Sequence, residues 1–156
     1  MMLPPIIPFH GDWSKYTEEL YTFYINEIVN GGLIYDGLPV RFRYNPPTKK
    51  KGFGFWHIIQ EGALEDERIP DLRRCERISW IPFIIREAGR HNGISIWEEM
   101  RGTEIDVLLW LEENNYLVVL AKRHRYLLLK TAYCPKPHKV KTLRKNREAF
   151  KKGKKS

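Results

Sequence analysis

His57 lies in the apolar run Phe53-Gly-Phe-Trp-His-Ile-Ile-Gln60 and is the one histidine of five in such a setting. Its ordinary pKa is close to neutrality, so it can act as a general acid or base. The other reading is a core histidine held by a carbonyl. Arg73, Arg74 and Arg77 follow at spacings of three and four, which place them close together on a helix. Guanidinium groups match phosphate oxygens in pairs, so the three form a phosphate clamp or a solvated face paired with Asp71 and Glu76.

A third group closes the run Arg125-Tyr-Leu-Leu-Leu-Lys-Thr-Ala-Tyr133, which Cys134 and Pro135 stop. Thr131 and Tyr133 can hydrogen-bond a phosphate, or Tyr133 can orient a reacting hydroxyl. Lys130 can offset charge at a phosphorane-like transition state. Strand alternation predicts Leu127, Leu129, Thr131 and Tyr133 on one face and Tyr126, Leu128, Lys130 and Ala132 on the other. The alternative is a packed Tyr133 and a snorkelling Lys130. The basic turn Lys122-Arg-His-Arg125 adds Arg123 and Arg125 as substrate-binding candidates, and Lys139, Lys141 and Arg144 add more beyond Pro135.

Metal chemistry has less behind it. Cys75, Cys134 and His138 are not ligand-spaced and there is no CxxC, so no metal ligand or cofactor is assigned. Glu104 and Asp106 share a strand face, which leaves a two-acid Mg²⁺ site or a solvated sheet edge. Gly52-Phe-Gly54 lacks the Lys-Ser ending of a phosphate loop, and no GxSxG elbow occurs.

The charge distribution points to a polyanion. Of 27 Lys/Arg and 19 Asp/Glu, ten basic residues and one acid fall after Cys134, giving +9 there and −1 over the rest, from 17 basic and 18 acidic. A near-neutral body with a basic end suits nucleic acid or a solubilising tail. A chain of 156 residues, 42% apolar and 13% aromatic, fills one domain and buries ~70% of its unfolded surface. No run approaches a membrane span, the proline-rich start does not read as a signal peptide, and two distant cysteines imply no disulfide framework. A cytoplasmic protein is the expectation.

The elements that must position these groups follow from periodicity. Tyr16, Leu20, Phe23, Tyr24 and Ile28 predict a helix over 14–30, capped by Asp12 or Ser14 and ended by Gly31-Gly32. Asp36-Gly37 signals a turn, and residues 40–44 alternate as a strand. A loop over 45–52 leads to a second strand over 53–60, antiparallel to the first, with His57 beside Phe53, Phe55 and Ile59. A polar loop through Arg68 precedes a helix from Pro70 to Gly89, interrupted at Pro82. Strands over 94–100, 104–111, 116–121 and 126–133 form a meander. Val140, Leu143 and Phe150 share one side of a basic helix over 138–150, and 151–156 is expected to be disordered. The prediction is an α+β two-layer fold, with helices on an antiparallel sheet of four to six strands. Residues 1–135 form the domain and 136–156 the basic helix and tail.

This order resembles the barnase–EndoU–colicin–RelE-like (BECR) nuclease superfamily, nearest its phage and mobile-element branch. The matched segments are Gly54-Phe-Trp-His-Ile-Ile59, Arg73-Arg-Cys-Glu-Arg-Ile-Ser-Trp80 and Tyr126–Tyr133. The resemblance implies a metal-independent ribonuclease that turns the ribose 2′-OH on the adjacent phosphate and leaves a 2′,3′-cyclic phosphate. By position, His57 is the acid/base candidate, Arg73, Arg74 and Arg77 hold phosphate, and Lys130, Thr131 and Tyr133 complete the site. The expected substrate is tRNA or mRNA, for a toxin or phage-encoded effector with an antitoxin or immunity protein as partner. The alternatives are a non-catalytic nucleic-acid-binding module and a regulator whose acidic meander meets a basic protein.

Overall fold

A computed structural model describes residues 2–64 and 67–155. Part of the polar loop before Arg68, and Ser156 of the tail, lie outside the described residues. Helix α1 (Trp13–Phe23) starts where the Asp12 carboxylate accepts from the Lys15 backbone N–H at 3.1 Å. It continues as a π-helical segment, Tyr24–Val29. Tyr16, Leu20, Tyr24 and Ile28, four apart, form its buried stripe. It ends at Asn30, and the next position needs glycine because a Cβ at Gly31 would stand 2.1 Å from the Glu27 carbonyl oxygen.

Strands β1 (Ile34–Tyr35) and β2 (Leu38–Arg41) pair across Asp36-Gly37, both at positive φ, as the turn signal predicted. The next segment corrects the sequence reading. Residues 53–59 are not a strand antiparallel to β2 but helix α2 (Phe53–Ile59). Aromatic and β-branched residues favour strand locally. Burial of Phe55, Ile58 and Ile59 at helical spacing overrides that preference. A short ribbon follows, β3 (Gln60–Glu61) with β4 (Ile69–Pro70). The single helix expected from Pro70 is two: α3 (Leu72–Glu76), capped by the Asp71 carboxylate, and α4 (Trp80–Glu87). Pro82 occupies the first turn of α4, where its missing N–H costs no helical bond.

Strands β5 (Ile94–Arg101), β6 (Glu104–Leu111), β7 (Tyr116–Arg123) and β8 (Tyr126–Tyr133) form the predicted meander. The six-stranded sheet runs β1-β2-β8-β7-β6-β5. It is mixed, because β2 is parallel to β8, pairing Val40 with Leu127 and Arg41 with Leu128. Tyr35 and Ile96, from opposite edges, line one cavity of about 340 Å³, so the sheet is curled.

Helices cover both faces, so the α+β architecture has three layers rather than two. One face packs Leu109, Val118, Leu120 and Leu129 against Leu20, Phe55, Ile59, Ile81 and Ile84. The other packs Trp97, Leu108, Trp110, Leu117 and Val119 against Leu143 of α5 (Pro137–Lys155). Burial on both sides explains why β6 and β7 read as continuous apolar runs. The helix extends through Lys155, past Phe150 where the sequence reading ended it. Arg144 and Arg147 anchor it on Glu112 at 2.7 and 2.8 Å. Among the described residues no helix is long and apolar enough to cross a membrane.

A bulge resets β8. Leu120 pairs with Leu129 but Val119 with Thr131, so Lys130 is the extra residue. Ala132, not Thr131 or Tyr133, joins Leu127 and Leu129 in the helix-side core, while Tyr133 packs with the α5-side cluster. The strict alternation predicted for 126–133 therefore fails after Leu129.

If α5 is part of the fold, Leu143→Ala will cost about 2–5 kcal/mol of unfolding free energy in urea titrations, the range for a fully buried leucine. Glu112 gives a pH test. The hydrogen bond from Arg147, and secondarily that from Arg144, holds its carboxyl below the ordinary value against the opposing effect of burial. Its contribution is present above the unfolded carboxylate pKa of ~4.3 and is lost as the pH falls through the lower folded value. Urea titrations across that range will show a loss that Glu112→Gln removes.

Candidate functional site

Helix α2 places His57. Its first turn crosses the chain after β2, where Phe53 N–H donates to the Tyr44 carbonyl at 3.0 Å and Gly54 N–H to the Arg43 carbonyl at 2.8 Å. A Cβ at Gly54 would lie 3.1 Å from that Arg43 oxygen, so glycine permits the approach. One helical turn on, the His57 ring stacks on Phe53 with centroids 4.2 Å apart. The Arg43 guanidinium lies 3.9 Å from the Phe53 ring centroid.

His57 is half-buried and lines two clefts rather than a closed core. The smaller, about 330 Å³, sets it with Arg43, Glu104, Arg123 and Lys130. The larger, about 430 Å³, sets it with Trp13, Lys49, Trp56 and Gln60. The first brings together three sequence candidates: His57, Arg123 and Lys130. It adds Arg43 and the carboxylate of Glu104, which the sequence reading had not joined to His57, and keeps Phe53 beside it. The alternation Val40-Arg-Phe-Arg was the one visible signal for Arg43.

The charges in this cleft are held in pairs. Lys130 Nζ donates to both carboxylate oxygens of Asp106 at 3.1 and 3.2 Å. Asp106 is only 2% exposed and also meets Arg101 Nε at 3.3 Å. Arg123 pairs with Glu104 at 3.2 Å. The two acids on this face of β6 thus each meet cations already.

The three arginines of the proposed clamp separate. Arg74 is turned inward: its Nη1 donates to the His57 carbonyl at 3.0 Å and to Thr131 Oγ1 at 3.3 Å. Its guanidinium stands 5.2 Å from the centroid of the Tyr133 ring. Thr131 Oγ1 also donates to the His57 carbonyl at 3.4 Å. Arg73 is exposed. Arg77 pairs with Glu76 at 3.6 Å and lies 5.2 Å from the Trp80 ring, lining no cleft with His57. Tyr133 lines a third cleft, about 290 Å³, with Arg74, Lys136 and Lys139. Burial raises its phenol pKa, while Arg101 and Arg74 pull it back. Burial likewise raises the Cys134 thiol at that cleft. Arg125 and Lys141 are exposed, and Arg144 is held on Glu112.

No protein-family model matches the chain, and neither curated proteins nor solved structures give a match.

Arg74 and Arg73 should therefore behave differently in stability measurements. Arg74→Met will lose about 2 kcal/mol, the scale of hydrogen bonds to a charged donor. Arg73→Met will stay within about 0.5 kcal/mol of the parent, as exposed positions do. Urea melts of the two variants test this.

Proposed function

We propose that the chain is a metal-independent endoribonuclease of the BECR-like kind, working in the cleft shared by His57 and Glu104. The observation that carries this reading is the company His57 keeps: one carboxylate and three cations, Arg43, Arg123 and Lys130, around about 330 Å³ of open space. Transfer within RNA needs a base for the ribose 2′-OH, an acid for the departing 5′-oxygen, and positive charge at the phosphorane.

The roles divide as follows. Glu104 accepts the 2′-OH proton as the 2′-oxygen bonds to phosphorus. The phosphorus–5′-oxygen bond breaks, and imidazolium His57 protonates the leaving oxygen. The products are a 2′,3′-cyclic phosphate and a free 5′-hydroxyl. Arg43 and Lys130 are already oriented by Phe53 and Asp106, so they stabilise the transition-state charge with little reorganisation, while Arg123 turns from Glu104 to the phosphate. Arg74 and Thr131 act one step back, by fixing the His57 backbone. Tyr133, Lys136 and Lys139 line the neighbouring cleft and extend the cationic track for the strand.

A second reading, a non-catalytic nucleic-acid-binding module, draws on the exposed Lys141, Lys145, Lys151 and Lys152 of α5. It predicts phosphate binding that weakens steeply with salt and survives loss of His57.

End-labelled tRNA or mRNA incubated with the protein in EDTA separates the two. The nuclease reading expects cut ends bearing a 2′,3′-cyclic phosphate and a bell-shaped pH–rate profile. His57→Ala and Glu104→Gln should each slow cleavage by about 10²–10⁴-fold. Equal cutting of a strand with a single 2′-deoxyribose at the cut site would overturn it.

A further inference from the structure

The larger cleft beside His57 is left unused by the reaction above. Its walls are aromatic: Trp13 from the start of α1, and Phe53 and Trp56 from α2. Trp13 remains 36% exposed although Phe9 and Tyr16 brace it edge-on at 6.4 and 6.0 Å. The Trp56 ring is fixed, with Nε1 donating to the Thr48 carbonyl at 3.0 Å and Phe55 edge-on at 5.2 Å. The polar groups beside them are Thr48, Gln60, His57 and the cations Lys49 and Arg68. A volume of about 430 Å³ suits a small planar ligand rather than a helix or strand.

The loop that brings Lys49 is strained, independently of the cleft's composition. Thr48 and Lys51 exchange both backbone hydrogen bonds at 2.9 Å, closing a two-residue turn on Lys49 and Lys50. Both lysines are left-handed, at φ 50° and 65°. Such turns favour Asn-Gly, and a lysine at either position is disfavoured. Strain of this kind persists where the surroundings enforce it, and it clusters at ligand sites. The enforcing contacts are present: Trp56 holds the Thr48 carbonyl, and Lys51 pairs with Glu18 while lying over the Tyr21 ring. The turn holds Lys49 at the cleft.

We propose that this cleft is a nucleobase subsite, taking one unpaired base of an RNA strand next to the phosphate at His57. The base stacks on the tryptophan wall, Gln60 offers an amide donor and acceptor to its edge, and Lys49 meets the flanking phosphate. Stacking on aromatic side chains is the sequence-tolerant way proteins hold single strands, and a base must leave its duplex to be held so. The placement next to the phosphate rests on the nuclease reading; the stacking does not.

The test uses the full chain and an uncleavable 2′-O-methyl oligonucleotide, with binding read by fluorescence anisotropy. Single strand should bind more tightly than the same sequence in a duplex. Trp13→Ala should weaken it by about five- to a hundred-fold, the range for one lost stack. An abasic residue at one position of the strand should lose a similar amount, and no more when combined with Trp13→Ala. Lys49→Asn with Lys50→Gly is the second variant. It should raise the melting temperature by relieving the turn while weakening binding, a combination that a purely structural turn would not give. Binding unchanged in both variants, or duplex bound as well as single strand, overturns the subsite. A ribo-oligonucleotide left uncut while Trp13-dependent binding persists overturns the nuclease reading and keeps the subsite.

Discussion

The carbonyl oxygen of His57 is the junction on which the arrangement depends. It belongs to the last turn of α2, where backbone carbonyls lack helical partners and the helix dipole is negative. Arg74 Nη1 from α3 donates to it at 3.0 Å, Arg68 Nη2 at 3.3 Å and Thr131 Oγ1 from β8 at 3.4 Å. The neighbouring carbonyls are met in the same manner. Ile59 accepts from Asp71 N–H at 2.8 Å and from the Cys75 thiol at 3.7 Å, and Gln60 accepts from Arg68 at 2.6 Å. Burial pushes that thiol up to about 12, so Cys75 stays a neutral donor. Two cations, two neutral side-chain donors and one backbone N–H thus close a helix of only seven residues and join it to α3 and the sheet. Such a short helix has little stability of its own. The imidazole of His57 is placed because its backbone is tied down.

This junction also shows where the sequence was legible. The meander was readable because β6, β7 and β8 each contain a continuous apolar run, with turns between the strands at Gly102, Asn114-Asn115 and His124-Arg125. Helix α1 was readable because its apolar stripe repeats every four residues. Helix α2 was not, because Phe-Gly-Phe-Trp-His-Ile-Ile carries strong strand propensity and only seven residues of pattern. Its helical state depends on Gly54 meeting the Arg43 carbonyl and on arginines remote in sequence. The bulge at Lys130 leaves no local sign either, since a register shift is a property of two strands. Helix α5 was readable because three apolar residues share one side, and these seat it on Trp97 and Trp110; only beyond Phe150 did charge composition suggest a loose end.

The candidate site was half legible for the same reason. His57, Arg123 and Lys130 stood out by type and do line one cleft. The clustering of Arg73, Arg74 and Arg77 was real on the helix but misleading about shared purpose. A helix of five residues cannot present three long side chains to one ligand when one of them closes another helix. Arg43 and Glu104 come from the two flanks of β8 and β7, and only the sheet order brings them to His57. No spacing rule spans that distance.

Glu104 and Asp106 show how one strand face divides its labour. Two residues apart, they point the same way from β6. Asp106 is sealed under the sheet's side chains and bound by Lys130 and Arg101. Its charge is compensated, and its effect is to hold the ammonium of a bulged residue in one place. Glu104 stands at the strand's first position, with its side chain 46% exposed and the Arg123 guanidinium at 3.2 Å. A phosphate entering the cleft competes for that arginine, which matches phosphate oxygens as well as it matches a carboxylate. In the proposed reaction, arrival of the substrate therefore draws Arg123 onto the phosphate and leaves Glu104 to take the 2′-OH proton. Lys130 stays fixed by Asp106 throughout. The same cleft then holds one cation that is preorganised and one that exchanges, and the exchange is what gives the carboxylate its role.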